Sequence, residues 1–307
     1  MNLLTGATGF VGGHLVEYLF QQSEISKATF RPGSHLKILD LNGVQCVEAD
    51  LLDHHSLHEA VEGTDTIYSM ASPMPGDGED FQRVNTEGIS NLLEVAKESG
   101  VKTLVHLSTL DVFGLGAGTV DVGSAMRPRD PYQRAKASAE DVLLDFARRN
   151  KQPMVVIVRS ARATGPRDWT LAVPLLRMIS NRKVIVPKGA EMSFAHPKDI
   201  AKAMYRAATG QAAPGGVYMV KSFDSTTESL AAALAESVGV TTKVARAGPF
   251  SRPDLPEYTA RQLEGSLRLA PQASWQAIGY SPDYDLEKTC KEIAAWYKRE
   301  PWVAEQP

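Results

Sequence analysis

Thr5-Gly6-Ala7-Thr8-Gly9-Phe10-Val11-Gly12 stands between the apolar pair Leu3-Leu4, which reads as a strand, and an amphipathic run over 12–22 with Val11, Leu15, Leu19 and Phe20 apolar. In a strand–loop–helix of this kind Gly6 allows the tight turn, Gly9 lets the backbone approach a pyrophosphate, and Gly12 lets helix and strand pack closely. The helix start then offers unpaired N–H groups and a partial positive charge to phosphate. The spacing is G-x-x-G-x-x-G rather than G-x-G-x-x-G. Three glycines alone are equally a tight turn; their place between a strand and a helix favours the nucleotide reading.

Outward from this loop, strands are expected at 27–30, 44–48, 66–70, 103–107 and 154–158, with helices at 56–62, 85–99 and 132–149. In the helix over 85–99, Ile89, Leu92, Leu93 and Ala96 recur at helical spacing, and Gly100 takes the C-cap position. Strand–helix–strand repeats of this length imply right-handed crossovers. The expected class is α/β, a Rossmann-type doubly wound parallel sheet with a small C-terminal substrate lobe. After Gly165 the pattern loosens: helices at 171–179, 199–208 and 286–297, strands at 184–186 and 217–220, and a capping-box spacing, Ser225-Thr226-Thr227-Glu228, ahead of a helix over 230–238. The division expected is 1–165 for the dinucleotide and 166–307 mainly for substrate, with segments near 190–220 returning to the main sheet.

Among the 307 residues 43% are hydrophobic and 22% charged, an ordinary globular balance, and a net charge of −3 gives no global attraction to nucleic acid or an anionic membrane. Cys46 and Cys290 lack a partner motif, which fits a reducing compartment and no cysteine-based metal site. The start at Asn2-Leu3-Leu4 leaves no room for a signal peptide, and the apolar run 154–158 is too short to span a bilayer, so a cytoplasmic protein is expected. His54-His55-His58 reads as a helix-start surface, and no metal is expected.

The second strand ends Ala28-Thr29-Phe30-Arg31-Pro32-Gly33-Ser34, without the carboxylate that would bind ribose hydroxyls; Arg31, aided by Ser34 and Lys37, suits a 2′-phosphate. NADP is therefore expected, with NAD the alternative if Arg31 is only a surface charge. Asp50 and Leu51 are placed beside the adenine, unless Asp50 merely caps the next turn. Tyr132 and Lys136 lie four apart on one helical face. A phenol of pKa about 10 is a poor base at neutral pH, and a neighbouring ammonium is expected to lower it, so that Tyr132 exchanges a proton with a hydroxyl or carbonyl. Ser108-Thr109 closes the preceding strand at the sheet's ligand-binding edge; Thr109 either donates to the substrate oxygen or is satisfied by local backbone.

In order and spacing these motifs resemble the extended short-chain dehydrogenase/reductases, the NAD-dependent epimerase/dehydratase superfamily, over nearly the whole chain. The likeness includes Asn85, Val112-Phe113-Gly114, Pro131-Tyr132, Arg159, Gly165-Pro166 and Phe194-Ala195-His196-Pro197-Lys198-Asp199-Ile200-Ala201. It implies hydride transfer to or from NAD(P), with Thr109 polarising, Tyr132 as acid/base and Lys136 tuning the tyrosine. It also implies a cofactor lined by Thr8, Phe10, Val11, Arg31, Asp50, Leu51, Ala71, Ser160 and Ala161, with Ser72 and Ser108 beside them, and a homodimer through the helices at 86–99 and 132–149. Sugar-nucleotide members carry an asparagine where this chain has Arg162, and an arginine where it has Glu191, Met192 and Ser193. Arg31-Pro32-Gly33-Ser34, and Gly165-Pro166-Arg167-Asp168 followed by Val173-Pro174, resemble instead the 3β-hydroxysteroid dehydrogenase and dihydroflavonol reductase-like branch. Ser160 replaces that branch's proline after Arg159.

The activity expected is that of a carbonyl reductase or alcohol dehydrogenase on a small or moderately apolar ketone or alcohol. The alternatives are a nucleotide-sugar epimerase or dehydratase that recycles its cofactor, and a non-catalytic NADPH sensor. The substrate pocket is expected under Pro73 and the loop to residue 80, Leu110, Asp111, residues 114–118 and Trp169, the last as pocket wall or lobe core. His196 reads as a structural histidine ahead of the helix at 199–208.

Overall fold

All four residues of β1 (Asn2–Thr5) are buried, as a strand covered on both faces must be. The computed structural model describes residues 1–73, 81–187, 191–248 and 253–300. Its chain continues through α1 (Phe10–Gln21), β2 (Ser26–Phe30), α2 (Lys37–Leu41), β3 (Gln45–Glu48), α3 (His54–Val61), β4 (Thr66–Ser69), α4 (Phe81–Arg83), α5 (Ile89–Glu98), β5 (Thr103–Thr109), β6 (Gly118–Val120), α6 (Pro131–Arg149) and β7 (Met154–Ser160). Then follow β8 (Arg162–Ala163), α7 (Ala172–Ser180), β9 (Val184–Val186), β10 (Met192–Ala195), α8 (Pro197–Thr209), β11 (Gly216–Val220), β12 (Phe223–Ser225), α9 (Thr227–Val238), β13 (Val244–Arg246), α10 (Glu257–Gln262), β14 (Leu267–Leu269), α11 (Gln272–Ile278) and α12 (Leu286–Arg299).

The main sheet runs β11-β7-β5-β4-β1-β2-β3, parallel throughout. From β1 the chain winds first to β2 and β3, then reverses to β4, β5, β7 and β11. The reversal falls between β1 and β4, and at such a switch point a crevice opens beyond the carboxyl ends of the strands. Neighbouring residues of one strand serve opposite layers. Leu4, Tyr68, Val105 and Val158 pack with α1 and α8 through Leu15, Leu19, Ile200 and Met204. Leu3, Ile67, Leu104 and Ile157 pack with α3, α5 and α6 through Leu57, Leu92 and Leu143. A second sheet, β12-β10-β14-β6 with β8 paired to β10, belongs to the lobe, whose core includes Leu175, Leu176, Phe194, Leu230, Leu234 and Ile293.

Some local expectations shift. The strand β10 at 192–195 lies in the lobe sheet, paired with β8, β12 and β14, whereas α8 packs beside α1 and β11 pairs with β7. The helix expected from residue 85 already begins at Phe81 and passes through a π-turn, Val84–Gly88, before α5. There Asn85 Nδ2 donates to Phe81 O at 3.0 Å and to Ser72 Oγ at 3.2 Å, a side-chain insertion of the kind that widens a helical ladder. The cap of α9 is Thr226, which accepts from Ser229 N at 3.1 Å, one residue later than the capping-box spacing suggests. Among the described residues no helix is long and apolar enough to cross a membrane.

Candidate active site

The glycine loop leaves β1 with Gly6 at φ +74°, and a Cβ there would lie 2.7 Å from Ala71 N at the end of β4. A Cβ on Gly12 would lie 2.1 Å from Gly6 O, so helix and loop touch only because that position is bare. Gly9 caps α1 without a side chain, which keeps the first-turn N–H groups for an external anion. This cradle suits a pyrophosphate. From it a cavity of about 510 Å³ runs across the switch point to α6 and on to α10 of the lobe. The residues expected at the cofactor, Lys37 apart, border it, from the glycine loop through Arg31, Asp50, Leu51, Ala71 and Ser72 to Ser160 and Ala161, together with Thr109, Tyr132 and Lys136.

Arg31 and Ser34 form a turn at the cavity rim: Ser34 N donates to Arg31 O at 3.0 Å and Arg31 N to Ser34 Oγ at 3.3 Å. Lys37 opens α2 and does not border the cavity. Asp50 does cap a turn, accepting from Leu52 N at 2.8 Å, while it and Leu51 also line the cavity.

Asp130 caps α6 by accepting from Gln133 N at 2.8 Å, and Pro131 fixes the first turn, which aims Tyr132 and Lys136 at the cavity. Lys136 Nζ donates to Leu107 O at 2.9 Å and lies 3.2 Å from His106 Nε2. Burial pulls this ammonium down to about 8. The Tyr132 ring meets Phe81 and Tyr258 edge-on, at 6.0 and 5.6 Å between centroids. Here the expected tuning is reversed: burial raises the phenol above its ordinary value, the Asp111 charge pushes the same way, and Arg162 opposes them. The lysine's hydrogen bonds run to β5 instead. Burial thus favours the neutral phenol. Thr109 Oγ1 accepts from Asp111 N at 3.2 Å, which leaves its own proton to donate.

Ser108 borders the cavity, and its hydroxyl donates to Glu140 Oε1 at 2.5 Å, joining a buried pair in which Arg159 Nε and Nη2 hold both carboxylate oxygens at 2.6–3.0 Å. Two expected positions are corrected. Leu110 does not reach the cavity: the 3₁₀ turn Leu110–Phe113 folds it into the main core, 1% exposed. Residues 114–118 also lie away from it, with Gly118 opening β6 against β14. Pro73, Asp111 and Trp169 do line it, Trp169 at the rim with 42% of its surface exposed. The rest of the loop above Pro73, residues 74–80, lies outside the described residues. His196 caps α8, accepting from Lys198 N at 3.3 Å, and stacks on Tyr284 at 3.7 Å between centroids.

Sequence reasoning missed the far wall. Gln262 and Tyr258 of α10 both donate to Asp111 Oδ2, the tyrosine at 3.3 Å. Arg162 donates to Gln262 Oε1 and, at 3.2 Å, to Thr170 Oγ1. Asp168 accepts from Thr170 N, Leu171 N and Ala172 N, setting Thr170 in place. Arg167 grips Glu17 of α1 with two bonds of 2.9 Å; burial works against that carboxylate, but the bonds from His14 and Arg167 hold it at about 2. Arg162 could be seen in sequence as the residue standing where an asparagine was expected, but α10 is only six residues long and carries no periodic signal.

Residues 2–220 match the family model described as "NAD dependent epimerase/dehydratase family". The chain is 34% identical over 175 residues to "Sterol demethylase protein B" of Methylococcus capsulatus, covering 54% of this chain and 52% of that protein. It is 32% identical over 183 residues to "Sterol-4-alpha-carboxylate 3-dehydrogenase, decarboxylating" of Mus musculus, covering 56% and 48%. The chain spans about half the length of these relatives. The fold is that of dTDP-glucose 4,6-dehydratase from Bacillus anthracis, solved in complex with NAD: TM-score 0.83 at 20% identity, covering 99% of each chain.

Proposed function

The chain belongs to the NAD-dependent epimerase/dehydratase family, and from that premise we propose that it is an NADP-dependent oxidoreductase acting on a ketone or alcohol. The observation that carries this reading is the joint presence, along one cavity, of a bare glycine cradle, Arg31 at one end, and Thr109, Tyr132 and Lys136 at the other. Bound NADPH would supply the hydride. The cradle and the start of α1 hold the pyrophosphate, Arg31 the 2′-phosphate, and Lys136 a ribose hydroxyl. Thr109 and Tyr132 would donate to the carbonyl oxygen of the substrate, and Tyr132 would give that oxygen its proton. A phenol held neutral by burial suits this reductive direction.

The substrate is a small or moderately apolar ketone that presents a hydrogen-bonding group to the wall of Asp111, Arg162 and Gln262. The protein works as a homodimer through α5 and α6, and its free cysteines fit the reducing cytoplasm. The same polar wall, with the likeness to a sugar-nucleotide dehydratase, supports a second reading in which NAD(P) is recycled during epimerisation or dehydration. Cofactor that stays bound through purification, with no net oxidation of NADPH by any carbonyl, would favour it. A mere NADPH sensor has no need of a proton donor, and Tyr132 is present.

Titration with NADPH and NADH tests the cofactor assignment. NADPH is expected to bind more tightly, and Arg31→Ala to weaken it by about 10- to 100-fold, the worth of a hydrogen bond to a charged group, with NADH unaffected. Equal affinities in the wild type would sink the NADP assignment and favour the recycling enzyme.

A further inference from the structure

Strand β5 carries a buried histidine that the mechanism above does not use. His106 has no exposed surface, nor has Ser69, its register partner on β4; Lys136 is 3% exposed. On the face turned towards α5 and α6, Ser69 Oγ lies 3.1 Å from His106 Nδ1, and His106 Nε2 lies 3.2 Å from Lys136 Nζ. The chemistry of the pair fixes the tautomer. An ammonium has only protons to give, so Nε2 accepts from Lys136, and Nδ1–H donates to Ser69. Burial, with the Lys136 charge behind it, drives the imidazole well below its ordinary range and keeps it neutral.

We propose that His106 is a positioning residue for Lys136: together with Leu107 O it takes two of the three ammonium protons and leaves the third for the cavity. The inference rests on Lys136 binding the cofactor ribose. A flexible four-carbon side chain held at two points loses its freedom before ligand arrives, which is how a supporting shell sharpens a site. The charged group acting on Lys136 from its own helix is Glu140, whose charge Arg159 of β7 matches; the titratable group that touches it from β5 is His106. An apolar side chain at position 106 would leave a buried cation with a single carbonyl acceptor.

The test is an NMR titration of the free protein labelled at lysine Cε, the Lys136 signal being assigned by its loss in Lys136→Met. The wild-type midpoint is expected near 8. In His106→Leu it is expected to fall by about one pH unit or more, because a buried cation that loses an acceptor sheds its proton sooner. His106→Gln, which keeps an acceptor, is expected to stay within about half a unit of the wild type. Affinity for NADPH at pH 8 should fall about fivefold in His106→Leu and change little at pH 6.5, where the lysine stays mostly charged. A folded His106→Leu protein with an unmoved midpoint overturns the proposal. Should that variant fail to fold, His106→Phe takes its place: it keeps a ring of similar bulk without an acceptor for Lys136 Nζ, and a midpoint equal to the wild type would overturn the proposal just as well. The Lys136→Met affinity judges the underlying reading separately. If Lys136→Met binds NADPH as tightly as the wild type, Lys136 does not hold the cofactor, wherever the His106→Leu midpoint falls.

Discussion

Replacing Tyr132 with phenylalanine is expected to lower turnover of any carbonyl the wild type reduces by about 10²- to 10⁴-fold, the usual worth of a positioned proton donor. Fold and NADPH affinity should be unchanged, because the ring keeps its edge contacts with Phe81 and Tyr258 and no cofactor phosphate is assigned to it. Burial and the nearby Asp111 keep the phenol protonated beyond its ordinary range. The basic limb of the wild-type pH–rate profile should therefore follow Lys136, near 8, and not the tyrosine. Stopped-flow oxidation of NADPH with a carbonyl panel supplies the measurement. A Tyr132→Phe protein that turned over at the wild-type rate would remove the phenol from the reaction.

Glu140→Gln is expected to cost about 3–5 kcal/mol of stability, because it leaves the Arg159 guanidinium buried without its counter-charge. Glu140 has no exposed surface, Arg159 has 5%, and three hydrogen bonds join them. Arg159 also lies over the Phe113 ring at 5.1 Å, so it has no solvated position to retreat to without repacking. Replacing both partners by apolar residues of similar volume should recover most of the loss, since the desolvation of both ions goes with them. Urea unfolding of the single and double variants gives both figures. A loss under about 1 kcal/mol in Glu140→Gln would mean that water reaches the pair as it reaches a surface salt bridge.

The main sheet and the chemical end of the site were legible because their signals are local. A strand, three glycines and a helix lie within the first 21 residues, and Tyr132 and Lys136 share one helix face. The lobe's sheet was not, because β6, β8, β10, β12 and β14 are two to four residues long, too short to show a period, and each finds its neighbour far along the chain. Gln262 meets Asp111 across 151 residues of sequence. The reversed tuning of Tyr132 was hidden for the same reason: the helix pattern shows Lys136 one turn away, but not that its ammonium is taken up by β5 or that Asp111 stands near the phenol.

The wall proposed for the substrate and the groups proposed for the reaction are written in different stretches of the chain, with Tyr132 in α6 and Tyr258 and Gln262 in α10. A change confined to residues 257–262 would alter what the cavity admits and leave the lysine and the glycine cradle as they were, while Tyr258, packed on the Tyr132 ring, is the one position of α10 where the two meet. A protein so divided is a fixed engine behind an exchangeable door, and a directed library over α10 is the economical way to retarget it.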